Sequence, residues 1–244
     1  MISPDGRWWW DGSQWRSRVV EGELDLFWFL TTPQWFERVA ITGLIGLIPI
    51  VGQINLYGWT LAASDMVRQR WRELPPAGFQ YLERGVAPFI VMLVYGLAVL
   101  LVLATLAVGG IVLLASKPAQ VAAGITVFAF VALIAIAWWL TATYLLAAML
   151  VCSDRLGIGR ALNPAVLFTQ ARHNSDISIR AGITYVVAAV VLTFGATVAS
   201  FAIPFAGLAV SVGLPAVMAL IAPLLSKFDV AGAGPGPGTS TPLP

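Results

Sequence analysis

Between Gly85 and Ser153 the chain carries a single charge, Lys117, and between Ala181 and Ser226 it carries none. A helix without a polar face has no way to lie on a water-exposed surface, so these stretches must face lipid or one another. The composition agrees: 59% of the 244 residues are hydrophobic and only 11% are charged, far from the balance of an ordinary soluble domain. A formal net charge of +2, with no basic run interleaved with aromatics, argues against nucleic acid as a partner. The opening MISPDGRWWWDGSQW has charges and turn residues where a cleavable leader needs an apolar core, so no signal peptide is expected.

Five apolar segments follow, at about residues 36–63, 86–116, 119–152, 180–202 and 206–226. The last four reach the roughly 20 residues needed to cross a bilayer. Those at 86–116 and 119–152 exceed it, so they should tilt or project beyond the hydrocarbon. Pro118, beside Lys117 and Gln120, marks the turn between them. Residues 64–84 carry Arg68, Arg70, Arg72 and Arg84, and residues 153–180 carry Arg155, Arg160, Arg172 and Arg180. The excess of arginine assigns both loops to the cytoplasm. Each also reads as a short interfacial helix, with Phe79 and Leu82 in one and Val166, Leu167 and Phe168 in the other.

The first apolar segment is interrupted by IPIVGQINLYG, residues 48–58. A single crossing there would place Arg16, Arg18 and Arg38 outside, against the charge rule. Two half-helices joined at the interruption would return the chain to its starting side. Pro49 lacks an amide donor, Gly52 is expected to permit the tight turn, and Gln53 and Asn55 should face protein and satisfy nearby backbone. The alternative is one tilted span kinked at the proline. The segment IPFAGLAVSVG, residues 203–213, repeats the pattern, so that Pro204, Gly207 and Gly213 match Pro49, Gly52 and Gly58. A further echo sets Ser64-Asp65, Pro75-Pro76 and Phe79 against Ser153-Asp154, Pro164 and Phe168, which suggests two related halves.

Residues 1–18 read as a miniature β-hairpin in which Asp11-Gly12 separates Trp8, Trp9 and Trp10 from Trp15. Indole rings suit the headgroup level, so these tryptophans are expected to anchor the N-terminus at the interface, with partner binding as the alternative. Residues 19–32 form an acidic-aromatic connector lying along the interface, residues 33–228 the membrane domain, and 229–244 a Gly/Pro-rich disordered tail.

Two resemblances rest on these motifs. Pro4-Asp5, Trp9 or Trp10, Asp11-Gly12-Ser13-Gln14-Trp15 and Arg16 resemble a short module of actinobacterial membrane proteins, domain of unknown function 2510. That resemblance implies a cytoplasmic N-terminus. The Ile48-Pro49 pair, Gly58 after an aromatic, Leu74-Pro75 and Gly85 resemble a prokaryotic family, domain of unknown function 4013, over about residues 34–226. It implies an integral membrane fold and no established activity.

The spans hold no Asp, Glu, Arg or His centrally, which removes a proton relay or coupling-ion carboxylate. His173 and Asp176 in ARHNSD read as solvated loop residues, and Asp65 and Asp154, each after a serine, read as caps of the next helix. The lone Cys152 excludes an internal disulfide, and no zinc spacing, Walker loop or nucleophile elbow exists. Gly195 with Ala199, Ala196 with Ser200 and Gly207 with Ser211 are spaced for close helix approach. Trp138, Trp139 and Tyr144 are core, a lipid-facing wedge or a subunit surface. The expected protein is an all-α polytopic bacterial inner-membrane protein with a re-entrant or broken first helix, four transmembrane helices and both termini cytoplasmic. It is read as non-catalytic, without cofactor or metal: an accessory or scaffold subunit binding lipid and other membrane subunits or itself. The alternative is a channel or carrier for a neutral or lipid-like solute, favoured by any polar cavity joining Pro49, Gln53 and Asn55 to the Pro204 region.

Overall fold

A computed structural model describes residues 3, 8–10, 15–17, 27–69, 71, 73–115, 118–201 and 208–231. Its helices are α1 (Trp35–Ile45), α2 (Val51–Arg68), α3 (Leu82–Leu114), α4 (Pro118–Leu156), α5 (Ile158–Ala161), α6 (Pro164–His173), α7 (Ser175–Ser200) and α8 (Leu208–Ser226). Among the described residues, α3, α4, α7 and α8 are long and apolar enough to cross a membrane. With 33 and 39 residues, α3 and α4 extend about 50 and 58 Å at 1.5 Å per residue. They run antiparallel: Gly124 meets Leu114 near the tip, Tyr95 meets Trp138 midway, and Arg84 meets Asp154 at the opposite end.

The interruption of the first apolar segment is a full break at Gly46–Ile50. Val51 N–H donates to the Pro49 carbonyl at 2.7 Å, and Ile50 between them has φ 66° and ψ −61°. This is a γ-turn of the strained hand. The residue with positive φ is thus Ile50, which corrects the expectation that Gly52 makes the turn. Gly52 lies in the first turn of α2, where a Cβ would strike the Ile45 carbonyl and Gly46. Its role is to let the two helix ends touch. The Arg38 guanidinium donates to the Leu74 carbonyl and pairs with Glu73 at 3.8 Å, so the chain enters α1 and leaves α2 at the same end of the molecule.

The segment after α2 contains no helix between Glu73 and Gly78, in contrast to the interfacial helix expected in residues 64–84. Pro75 and Pro76 supply no amide donors, and the run is held instead through its carbonyls. Leu74 O takes Arg38, Pro75 O takes the Trp59 indole N–H at 3.3 Å, and Pro76 O takes the Tyr81 hydroxyl at 3.0 Å. Leu74 and Trp59 are themselves fully buried. The second arginine-bearing loop does form helices, α5 and α6, and the Asn163 side chain caps α6 through Ala165 N–H.

Two glycines fix how α2 and α3 cross. A Cβ on Gly58 would overlap the Tyr81 carbonyl, and one on Gly85 would overlap the Ile54 carbonyl. The helices therefore touch backbone to backbone. By contrast Gly195, expected to mediate close packing, has nothing within 4 Å of an added Cβ.

In α8, Pro223 has no N–H to give the carbonyl four residues earlier. The freed Ala219 O accepts the Trp28 indole N–H at 3.3 Å. Trp28 and Phe29 are 1% and 3% exposed, so this part of the connector is core, correcting its placement along the interface. The first residues of the expected disordered tail, 229–231, are instead hydrogen-bonded to the helices. Asn174 exchanges hydrogen bonds with Asp229 N–H and C=O, and Gln170 does the same with Ala231. Residues 229–231 are thereby pinned across α6 and the start of α7; residues 232–244 lie outside the described residues. At the other end, β1 (Trp8–Trp10) and β2 (Trp15–Ser17) pair antiparallel with Trp10 opposite Trp15. Residues 11–14, the expected turn, lie outside the described residues.

Replacing Gly85 by Val forces α2 and α3 apart and should lower stability by about 1–3 kcal/mol or more. Gly109→Ala, at an open helical position, should leave it unchanged or raise it by up to about 1 kcal/mol. Thermal unfolding in detergent distinguishes the two, and equal Tm losses would contradict the crossing.

Candidate functional site: an aromatic cavity between the helices

Residues at i, i+3 and i+4 share one helix face. Gln53, Leu56 and Tyr57 on α2 and Met92, Tyr95 and Gly96 on α3 follow that spacing, and both triplets face a cavity of about 280 Å³. Its remaining walls come from α4 (Trp138, Trp139, Ala142, Thr143, Leu146, Met149), α7 (Tyr185) and α8 (Leu214, Met218). Five helices thus surround a half-open space rich in aromatic rings, with no Asp, Glu, Lys, Arg or His among its lining residues. Tyr95 and Trp138 lie 6.5 Å apart with their planes at 30°.

The polar groups here differ in what they already bond. The Tyr95 hydroxyl donates to Leu162 O at 3.0 Å, tying α3 to the end of α5, and Thr143 donates back to Trp139 O and Leu140 O. The side chains of Gln53, Tyr57 and Tyr185 have no hydrogen-bond partner among the described residues. Three side chains with neutral donors therefore remain uncommitted in a largely apolar cavity, the arrangement by which small-molecule sites orient a ligand.

One end of the cavity lies toward a charge cluster that links three helices. Arg84 at the start of α3 makes a bidentate pair with Asp154 on α4, at 2.8 and 2.7 Å, and its Nη2 also lies 2.6 Å from Asp65 Oδ2 on α2. Arg68 approaches Asp65 at 3.5 Å and donates to Ser226 O, the last residue of α8, at 3.0 Å. The planar guanidinium matches carboxylate geometry, so the cluster fixes orientation as well as attraction. Asp65 and Asp154 were expected to cap following helices. Both instead lie inside the last turns of their own helices, where Ser64 and Ser153 bond back to carbonyls of residues 61, 149 and 150. The Ser-Asp echo marks two carboxylates that converge on one arginine.

The other sequence candidates are distributed more widely. Pro49 is exposed in the turn, and Gly52 and Gly58 are buried as contact points. Gly213 packs against Leu192 of α7, while Pro204 and Gly207 lie outside the described residues. Asn55 is fully buried but on another face of α2 from Gln53, and its amide has no protein partner among the described residues, as is also true of the Thr42 hydroxyl. Asp176 pairs with Arg180 at 2.9 Å, leaving His173 exposed at the end of α6. Of the cavity residues, sequence reasoning singled out Gln53, Trp138 and Trp139. Tyr57, Tyr95 and Tyr185 were missed, although tyrosines within otherwise charge-free spans are a usable signal.

Arg84→Gln should lower stability by on the order of 2 kcal/mol, because it breaks charge-assisted bonds that are partly shielded from water. Asp154→Asn alone should lose less, since Asp65 still neutralises the guanidinium. Chemical denaturation of the two variants checks the order, and a larger loss for Asp154→Asn would contradict the shared clamp.

No curated protein and no solved structure matches the chain. Residues 41–205, which include the helix break, the glycine crossing, the Arg84 clamp and most of the cavity lining, match the family described as Protein of unknown function (DUF4013). The match covers more than half of the chain, and the protein therefore belongs to that family.

Proposed function

We propose that this protein holds a neutral, lipid-like molecule inside the membrane, as a carrier or binding protein rather than an enzyme. The observation that carries the reading is the set of uncommitted groups, Gln53, Tyr57 and Tyr185, facing a charge-free aromatic cavity. Charged headgroups find no counter-ion there, and burying an uncompensated charge costs several kcal/mol. The cavity also lies beside both Ile-Pro sequence segments, through Gln53 within residues 48–58 and Leu214 just after residues 203–213.

A scaffold role draws support from a different feature. The paired α3 and α4 expose Leu100, Leu101, Ile111, Ile125 and Leu133 along a hairpin longer than a bilayer is thick.

In the proposed topology the Arg38, Arg68, Arg84, Arg155 and Arg172 end faces the cytoplasm of a bacterial inner membrane. The α1–α2 pair re-enters from that side, and both termini stay cytoplasmic. The β1–β2 pair is read as a tryptophan hairpin anchored at the interface.

The test is extraction of lipids from protein purified in mild detergent, followed by mass spectrometry. Wild type should retain a neutral lipid in near-stoichiometric amount. Gly96→Phe should lose it while folding normally, because Gly96 lines the cavity and has open space beside it. Equal retention by both forms would remove the cavity from the function. Topology is checked separately: Lys117→Cys should react with an impermeant thiol reagent added to intact spheroplasts, and Arg172→Cys should not. The native Cys152 is buried and should stay silent in both.

A further inference from the structure

A second hollow, of about 270 Å³, runs along the outside of the α4–α7 junction. Trp139 and Thr143 line both it and the inner cavity, so the two spaces meet across a single turn of α4. The outer groove is apolar, bordered by Leu140, Ile179, Ile183 and Val187, which are 56%, 50%, 58% and 56% exposed. At its base the helices touch, since a Cβ on Gly182 would lie 2.8 Å from the Thr143 carbonyl.

We infer that the ligand is a tailed quinone: its ring lies in the inner cavity and its hydrocarbon tail leaves past Trp139 into the α4–α7 groove. This deepens the proposed function and rests on it. The argument for the ring is chemical. The walls are flat aromatic faces, including the Tyr95–Trp138 pair, and planar groups stack on such faces. The uncommitted side chains all offer an N–H or O–H donor, and no charged group lines the space. A quinone supplies the complement, a neutral planar ring whose two carbonyl oxygens only accept hydrogen bonds. The argument for the tail is the groove, whose exposed border of Leu140, Ile179, Ile183 and Val187 is apolar and suits a hydrocarbon chain. The path is lateral because the Arg84 clamp joins α2, α3 and α4 at the arginine end.

The test uses the full-length protein in detergent with two probes, a decyl-tailed benzoquinone and the same ring without its tail. Binding is followed by quenching of tryptophan fluorescence, since Trp138 and Trp139 flank the path. The tailed probe should bind saturably and at least about tenfold more tightly than the bare ring. Gln53→Leu combined with Tyr57→Phe should weaken both probes by about tenfold or more. Ile183→Trp with Val187→Trp, at exposed positions outside the core, should weaken the tailed probe alone and leave the bare ring within about twofold. Groove substitutions that leave the tailed probe unaffected, or that weaken both probes equally, would overturn the tail path. Displacement of the co-purified lipid by diacylglycerol but not by the tailed quinone would overturn the ring assignment while leaving the cavity reading intact. Binding of neither would sink both. A photoreactive decyl quinone gives an independent check: adducts should fall on α4 and α7, and adducts confined to α3 would rule the path out.

Discussion

Irregular backbone buried among apolar helices survives only if each freed carbonyl finds a donor, and this protein meets that demand with side chains. Arg38, Trp59 and Tyr81 serve three consecutive carbonyls at Leu74, Pro75 and Pro76. Trp28 serves the carbonyl that Pro223 releases in α8, and Tyr95 serves Leu162 at the end of α5. Asn174 and Gln170 play the same part for the strap after α8, each engaging both the N–H and the C=O of one residue. A buried carbonyl left without a partner costs about 1–3 kcal/mol. These few donors are therefore what allows the chain to break, bend and turn back while staying packed.

That arrangement also explains the hallmark residues. Leu74-Pro75 is a point where a buried side chain and two carbonyls are all engaged. Gly58 and Gly85 are partners in one crossing, each against carbonyl backbone of the other helix region. Close approach there, and the clamp of Arg84 between Asp65 and Asp154, lock α2, α3 and α4 together at one end. Farther along the same helices the packing loosens around Gly96, and the aromatic cavity occupies the space. Tight backbone contact at one level thus gives way to a hollow farther along the same helices.

The regular helices were legible because charge exclusion is a property of composition. A stretch such as 86–116, without a charged residue, has one stable environment, and the structure places α3 at Leu82–Leu114. The break near Pro49 was legible for a similarly local reason, the missing amide donor. The γ-turn at Ile50 was not, since a β-branched residue with positive φ contradicts local preference and occurs where Gly52 packs against the end of α1 at Ile45 and Gly46. Trp28 read as interfacial because an indole near charges usually is. Its burial depends on a carbonyl 191 residues away.

Sequence by itself determined the chemical setting: spans without charged residues in their central portions, and an excess of arginine in the two loops at 64–84 and 153–180. Those are local facts about side chains and solvent, and they hold whatever the fold. Only the tertiary structure decided that Gln53, Tyr57, Tyr95 and Tyr185 share one cavity and that Asp65 and Asp154 share one arginine. Such convergence depends on how the helices cross. The crossing is set by contact between distant backbones, which no periodicity within a single segment encodes.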